Sequence, residues 1–239
     1  MEGGQSLTKI YLDAGHGGKD SGAVGNGLYE KNVVLELAKR IQNKLKQYKD
    51  VEVMQTRTSD VFLELSERAD KANRWGADVF ISLHLNANEN NTAKGFETYI
   101  YNGSVGSDTI AFQNVLHQEI IRQIGPNTTD RGKKRANFAV LRETNMKAVL
   151  SENLFVSNAT EAALLKTSSF LDRLAQGHVN GLEKFFGLVK ETRPPTDTSP
   201  VKDTLYQVIA GTFSDRENAD NQVKKLEADG YSAYVQEKD

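Results

Sequence analysis

The segment IYLDAGHGGKDSGAVGNGLYEKN, residues 10–32, places a glycine-rich loop between a short apolar run and the start of a helical pattern. The loop contains His16, and Glu30 stands where the helical pattern begins. A strand, a glycine-rich turn and a helix in this order are typical of the first unit of an α/β sheet. Such a turn can bind a phosphate, contribute to a metal site or serve only as a turn.

The residue at position 20 disfavours the first of these uses, phosphate binding. A P-loop requires G-x-x-x-x-G-K-[ST], and GGKD has Asp20 where the hydroxyl side chain belongs. The dinucleotide fingerprint G-x-G-x-x-G fails as well, because Asp20 takes the place of its third glycine. An aspartate at this position would repel the anion.

Short β-rich runs alternate with helical patterns along residues 1–189. The predicted strands are KIYLD (9–13), VEVMQT (51–56), VFISLH (79–84), FETYIY (96–101) and AVLSE (148–152). The helical patterns between them are an apolar stripe at residues 33, 37, 41 and 45 and the segments LSERADKANRWGA and TIAFQNVLHQEIIRQI. This alternation predicts an α/β domain with a largely parallel twisted sheet flanked by helices.

A polar segment, KETRPPTDTSPVKD, separates this domain from a short tail. It spans residues 190–203, has no hydrophobic period and predicts an extended linker. Residues 204–239 then read as strand, helix and strand, with Ser214 at the helix N-terminus and Gly230 at its C-terminus. We predict a small βαβ unit, which is expected to pair with a copy of itself or pack on the first domain, because so few residues rarely bury a core alone.

The composition excludes several classes of partner and site. The 30 Lys and Arg residues nearly balance the 32 Asp and Glu residues, so no basic field suggests nucleic acid. The chain has no cysteine, so a metal site must use nitrogen and oxygen ligands. The start MEGGQSLTK lacks a secretory pattern, and no run approaches the roughly 20 apolar residues of a membrane span. We expect synthesis in the cytoplasm without a signal peptide, and no membrane insertion.

Four side chains that can bind metal or transfer protons are predicted at one edge of the sheet. His16 follows the first strand, His84 and Glu152 end two others, and Glu30 starts the first helix. Ligands of open α/β sheets bind at the carboxyl ends of the strands, which meet at this edge. Two histidines and one carboxylate suit catalytic zinc, and a further glutamate can serve as general base and acid in amide hydrolysis.

Each of these residues also has a structural interpretation, as a turn residue, a helix-dipole partner, a core histidine or half of an ion pair. For any one of these residues alone we favour the structural interpretation. For the four together we favour the functional one, because chance would have to place all of them at one edge. His117 and His178 lie within amphipathic helical patterns, for which packing or surface exposure is predicted. Substrate contacts and structural salt bridges are equally plausible for four residues near the same edge: Arg57, Asp60, Arg68 and Asn86.

Five ordered blocks resemble the zinc-dependent N-acetylmuramoyl-L-alanine amidases of the type 3 family, enzymes of bacterial and phage cell-wall lysis. The blocks are LDAGHGGKDSGAVGNGLYEKN, TRTSDVFLELSERADKAN, ADVFISLHLNAN, KGFETYIY and FAVLRETNMKAVLSENLFVSN, within Lys9 to Leu188. The resemblance implies that His16, Glu30 and His84 ligate Zn²⁺ and that Glu152 is the catalytic glutamate. The chain departs from the family at Ser151, where an apolar residue is usual, and at MKA, where proline precedes alanine.

The resemblance further implies that the partner is peptidoglycan and that the amide between N-acetylmuramic acid and L-alanine is hydrolysed. The tail, residues 204–239, is similar to one half of a sporulation-related repeat (SPOR) domain, which implies a partial repeat with a cell-wall-binding role. The alternatives are a zinc peptidase or deacetylase on peptidoglycan, a catalytically inert wall-binding protein, and another carboxylate, such as Glu143, as the base. Without a signal peptide, we expect access to the wall through lysis or a holin-type pore, as for a phage endolysin or a mother-cell autolysin of sporulation.

Overall fold

The computed structural model describes residues 7–191, 210–228 and 233–237 of a chain that divides into two units, Met1–Glu191 and Thr192–Asp239. The strands of the first unit are β1 (Thr8–Ala14), β2 (Val24–Gly25), β3 (Leu28–Tyr29), β4 (Val51–Gln55), β5 (Val79–Asn86), β6 (Phe96–Tyr101), β7 (Asp130–Ala136) and β8 (Lys147–Phe155). Its helices are α1 (Glu30–Leu45), α2 (Leu65–Trp75), α3 (Ser107–Ile124), α4 (Ala139–Arg142), α5 (Ala159–Leu165) and α6 (Ser168–Phe186). Among the described residues, every helix is too short or too polar to cross a lipid bilayer.

Six strands form one sheet in the order β4, β1, β5, β8, β6, β7. The first four run parallel to one another, β6 runs antiparallel to β8, and β7 runs parallel to β6. The prediction of a largely parallel sheet flanked by helices is therefore confirmed. Because β6 is reversed, it begins at the edge where β1, β5 and β8 end, and the residues at its start join that edge.

The two faces of the sheet are covered by different helices. The main core lies between the sheet and α1, α3 and α6, and it includes the predicted stripe at residues 33, 37, 41 and 45. A smaller apolar cluster lies under α2 and α4 on the other face. Helices α3 and α6 approach so closely that a Cβ atom on Gly177 would lie 2.7 Å from the Cα atom of Ile120. Only glycine fits there without a shift of the backbone.

The hydrophobic pattern does not predict β7 or the short hairpin of β2 and β3. β7 reads DRGKKRA and, as the last strand of the sheet, it pairs with β6 alone. Charged side chains on an edge strand discourage pairing with other chains, but they leave no apolar alternation in the sequence. β7 forms because its backbone pairs with that of β6, and a pairing between distant segments is not visible in the local hydrophobic pattern.

The second unit, described by itself, contains the predicted helix as α7 (Arg216–Ala228). Its N-cap is Asp215 rather than Ser214, because one carboxylate oxygen of Asp215 accepts from two backbone amides of the first turn at 2.8 and 3.2 Å. Aspartate is among the strongest N-cap residues, and this accounts for the shift by one position. The strand predicted before α7 lies mostly outside the described residues, as does Gly230, and residues 233–237 have no regular secondary structure.

Candidate metal centre

Three of the four residues predicted at the edge of the sheet meet at one point. His16, Glu30 and His84 each offer a ligand atom, and these atoms lie within 4.8 Å of one another. Glu30 Oε1 is 3.1 Å from His16 Nε2 and 3.0 Å from His84 Nδ1. The two imidazole rings pack edge to face with their centroids 4.9 Å apart. The structure thus supplies two nitrogen donors and one oxygen donor that can hold a metal ion.

Glu30 is the first residue of α1 and is almost completely buried. Its Oε1 accepts from the backbone amide of Leu85 at 2.9 Å, and its Oε2 accepts from that of Ala23 at 2.8 Å. Burial raises the pKa of Glu30, but the hydrogen bonds and charges of His16 and His84 outweigh it and lower the pKa below its usual range. Glu30 is therefore an ionised and rigidly oriented oxygen donor.

His16 is held in a backbone conformation that few non-glycine residues adopt, with φ at 59°. Its Nδ1 bonds to Asp20 Oδ2 at 2.8 Å, and this directs Nε2 toward Glu30. Burial lowers the pKa of His16, but the partners Glu30 and Asp20 outweigh burial and raise the pKa to about 9. A Cβ atom on Gly22 would lie 2.6 Å from both the His16 ring and Glu30 Oε2, so the loop needs glycine there.

Two buried arginines support the loop that carries His16. Arg68 donates to the backbone carbonyls of Ala14 at 2.9 Å and of His16 at 2.7 Å. Arg57 donates to the carbonyls of Ala14 at 2.9 Å and of Gly15 at 2.8 Å. The sequence left substrate contacts and structural pairing open for both arginines, and the structure shows that they position the backbone of the candidate ligand.

Three other residues named from the sequence also make internal contacts. Asp60 accepts from a loop amide at 2.7 Å, and Asn86 donates to Glu97 Oε1 at 2.8 Å. Glu143 precedes the start of β8 and bonds to Arg142 at 2.9 Å. Because β8 begins at the edge of the sheet opposite the metal centre, Glu143 is poorly placed to act as the base.

Glu152 lies beside the three donors on the neighbouring strand. It is the register partner of His84 in the parallel pair of β5 and β8. Its Oε2 atom is buried and has no hydrogen-bond partner among the described residues. Burial raises the pKa of Glu152 to about 7, while the His84 charge lowers it and the Glu30 charge raises it further. A carboxyl group with this pKa can both accept and donate a proton near neutral pH.

A second carboxylate, Glu97, lies directly opposite Glu152 in the antiparallel pair of β6 and β8. Burial raises the pKa of Glu97, but its hydrogen-bond donors outweigh burial and lower the pKa, so this carboxylate stays ionised. The four donors are Lys134, Asn86, Arg131 and Tyr99. Sequence reasoning missed Glu97 because it stands at the start of its predicted strand, and the reversal of β6 is not visible in the pattern.

The remaining two histidines are buried and bonded, as the packing interpretation predicts. His117 contacts Thr98 Oγ1 at 3.0 Å and Asp130 Oδ1 at 2.8 Å. His178 Nδ1 donates to a carbonyl of its own helix at 2.9 Å, and its Nε2 lies 3.2 Å from Ser151 Oγ. The departure from the family at Ser151 therefore gives a buried hydroxyl that pairs with α6 and holds the strand of Glu152.

Two family models match the chain. The model described as N-acetylmuramoyl-L-alanine amidase matches residues 10–184. The SPOR domain model matches residues 189–237, a range that includes the segment predicted to be a linker. The first match contains all four residues predicted to bind metal or transfer protons, and the second contains α7.

Individual relatives and solved structures agree with these matches. The sporulation-specific N-acetylmuramoyl-L-alanine amidase of Bacillus subtilis (strain 168) is 44% identical over 234 residues, covering 98% of this chain and 86% of the relative. The endolysin of Bacillus phage SPP1 is 49% identical over 205 residues, covering 84% of this chain and 75% of the relative. The catalytic domain of CwlV, an N-acetylmuramoyl-L-alanine amidase from Bacillus (Paenibacillus) polymyxa var. colistinus, matches with a TM-score of 0.71 at 41% identity, covering 76% of this chain and 99% of that domain. The sheet, the site, the family model and the relatives all agree. The chain therefore belongs to the N-acetylmuramoyl-L-alanine amidase family.

Proposed function

We propose that this amidase binds one zinc ion through His16, Glu30 and His84 and uses Glu152 as its general base and acid. The substrate is the amide bond between N-acetylmuramic acid and L-alanine in peptidoglycan. The observation that carries the proposal is the convergence of two imidazoles and a buried carboxylate beside the unpartnered oxygen of Glu152.

The chemistry of the donor set favours zinc over magnesium or calcium. Magnesium and calcium prefer oxygen ligands, whereas two imidazoles with one carboxylate are a common set in catalytic zinc sites. The hydrogen bond from His16 Nδ1 to Asp20 is the kind of outer contact that fixes the tautomer of a metal-binding histidine. Three protein ligands leave a coordination position open for water and substrate.

When bound, zinc would supply a Lewis acid that polarises the amide carbonyl and makes water nucleophilic near neutral pH. Glu152 accepts the proton of the attacking water and returns it to the leaving nitrogen, because its pKa of about 7 suits both transfers. Glu97 does not compete for this proton, since its cationic partners keep it ionised. The two carboxylates on neighbouring strands thus take different roles because their environments differ.

The relatives support the cell wall as the place of action. One is named as a sporulation-specific amidase and another as a phage endolysin. We infer that this protein reaches peptidoglycan after cell lysis or through a holin-type pore, and that the second unit, matched by the SPOR model, contributes to wall binding.

Digestion of purified peptidoglycan tests the proposal against its alternatives. The assay counts new L-alanine amino termini and new reducing sugar ends, with and without a chelator. We expect new L-alanine termini that disappear with the chelator and return with Zn²⁺, and no new reducing ends. Other amino termini would indicate a peptidase, released acetate would indicate a deacetylase, and wall binding without any product would indicate an inert binder.

A further inference from the structure

The edge strand β7 carries an excess of positive charge next to Glu97, the carboxylate opposite Glu152. Four of its seven residues, DRGKKRA, are basic. A register irregularity between Phe96 and Thr98 of β6 brings Arg131 and Lys134 to the same face, although they are three positions apart. Both side chains contact Glu97 on the face that carries Glu152, whereas Lys133 contacts Asn114 of α3 on the opposite face.

These two cations share a single carboxylate. Arg131 Nε lies 2.8 Å from Glu97 Oε2, and Lys134 Nζ bonds to the same oxygen atom. Glu97 is 3% exposed, while the side chains of Arg131 and Lys134 are 34% and 36% exposed. Among the described residues, no other carboxylate pairs with either cation. Glu97 therefore lies beneath two cations that present an uncompensated positive charge to the solvent.

The distance from the Glu152 strand to these cations is similar to the reach of an extended peptide of two or three residues. Adjacent strands are about 4.8 Å apart, so β7 lies about 10 Å across the sheet from β8, and the cationic groups lean back toward β6. An extended peptide advances about 3.5 Å per residue, so a group two or three residues beyond the cleaved amide reaches about 7–11 Å. In peptidoglycan, the residue after L-alanine is an acidic D-amino acid with a free carboxylate, unless the carboxylate is amidated.

We propose that Arg131 and Lys134 form a subsite for a stem-peptide carboxylate located beyond the L-alanine of the substrate. Glu97 is then a positioning residue that holds both cations at the edge of the catalytic centre. The inference rests on the proposed function, because it assumes that Glu152 marks the cleaved bond. Arginine and lysine bind carboxylates by charge-assisted hydrogen bonds, which are stronger than neutral ones.

Two soluble substrates that differ in one group test the subsite. Both contain N-acetylmuramic acid, L-alanine and a D-glutamate-derived second residue whose γ-carboxyl group is capped as a methylamide; its α-carboxyl group is a free carboxylate in one substrate and a carboxamide, as in D-isoglutamine, in the other. With the zinc-loaded full chain, we expect kcat/KM to favour the acidic substrate by about tenfold, the effect of one charge-assisted hydrogen bond. The variant Lys134→Gln, with Arg131 still paired to Glu97, should lower this ratio toward one, mainly through KM.

A matched control separates a local subsite from a general electrostatic field. The variant Lys133→Gln removes the same charge from the same strand on the face toward α3, so the ratio should remain as in the wild type. An equal loss in both variants would overturn the subsite. Equal cleavage of the two substrates by the wild type would also overturn it, whether or not Lys134→Gln folds, and would leave the amidase intact. Cleavage of neither substrate would contradict the proposed function itself.

Discussion

Replacement of Glu152 by glutamine should slow hydrolysis by about 10²–10⁴ and should raise the stability of the zinc-free protein, relative to wild type, as the pH rises from 4 to 8. The unfolded chain ionises this residue near pH 4.5, whereas the folded protein retains the proton up to about pH 7. The folded state therefore binds more protons between these values, and the free energy of unfolding falls as the pH rises through them. This difference between the folded and unfolded pKa values corresponds to about 3 kcal/mol of unfolding free energy, and the whole amount is lost above pH 7.

Glutamine has the shape of glutamate but no charge, so Glu152→Gln removes this pH-dependent loss. Its amide would be buried without a partner where Glu152 Oε2 now lies, at a cost of about 1–3 kcal/mol at every pH. The unfolding free energy of the variant relative to wild type should thus rise by about 3 kcal/mol from pH 4 to pH 8, or roughly 6–12 °C in Tm.

The assay combines urea or thermal unfolding of the zinc-free proteins at several pH values with hydrolysis by the zinc-loaded proteins. Loss of a general base or acid lowers the rate by about 10²–10⁴. Zinc content should stay unchanged in the variant, because Glu152 is not among the three donors. Activity within tenfold of wild type, or a stability difference that is constant with pH, would refute the assigned role and environment of Glu152.

Three further predictions concern the support of the centre and the core. Asp20→Ala removes the partner of His16 Nδ1, so zinc affinity measured by chelator competition should fall about 10–100-fold, and an unchanged affinity would contradict this role. Gly177→Ala places a Cβ atom 2.7 Å from the backbone of Ile120 and should destabilise by about 1–3 kcal/mol in urea unfolding, whereas Gly106→Ala, with open space around it, should cost less. Burial lowers the pKa of His178 to about 4, so the folded protein holds this histidine neutral. Its contribution to the free energy of unfolding is fully present above pH 6.5, and about 3 kcal/mol of that free energy is lost as the pH falls to 4. This loss should be absent in His178→Leu, and equal pH profiles would show that His178 is not held neutral.

The sequence was sufficient to predict the meeting of His16, Glu30 and His84 because each stands at the end of an element with a clear period. β1 and β5 read as apolar runs, and α1 reads as a stripe of every fourth residue, so the edge they share follows from the rules of parallel sheets. The glycines between β1 and α1 marked a tight loop. The structure adds that a side chain at Gly22 would collide with the site.

Residues whose role depends on strand direction or on backbone contacts could not be assigned from the sequence. Glu97 joins the site because β6 runs opposite to β8, and no hydrophobic period records direction. Arg57 and Arg68 both bind backbone carbonyl groups, which every residue has, so these contacts leave no signal in the residue types. Arg68 also forms a buried ion pair with Asp13 at 3.0 Å, a partner 55 positions away that the local pattern does not indicate. The basic β7 likewise lacked any pattern, although it provides the cations next to Glu97.

The zinc content of the purified protein, measured together with its amidase rate, decides whether His16, Glu30 and His84 hold a catalytic zinc ion. Metal is removed with a chelator and restored in steps, and the release of L-alanine termini is measured at each step in wild type and His84→Ala. We expect one zinc per wild-type chain, a rate that rises in proportion to zinc, and neither zinc nor activity in His84→Ala. Full hydrolysis by the metal-free protein, or one tightly bound zinc in His84→Ala, would contradict a catalytic zinc site at these three residues.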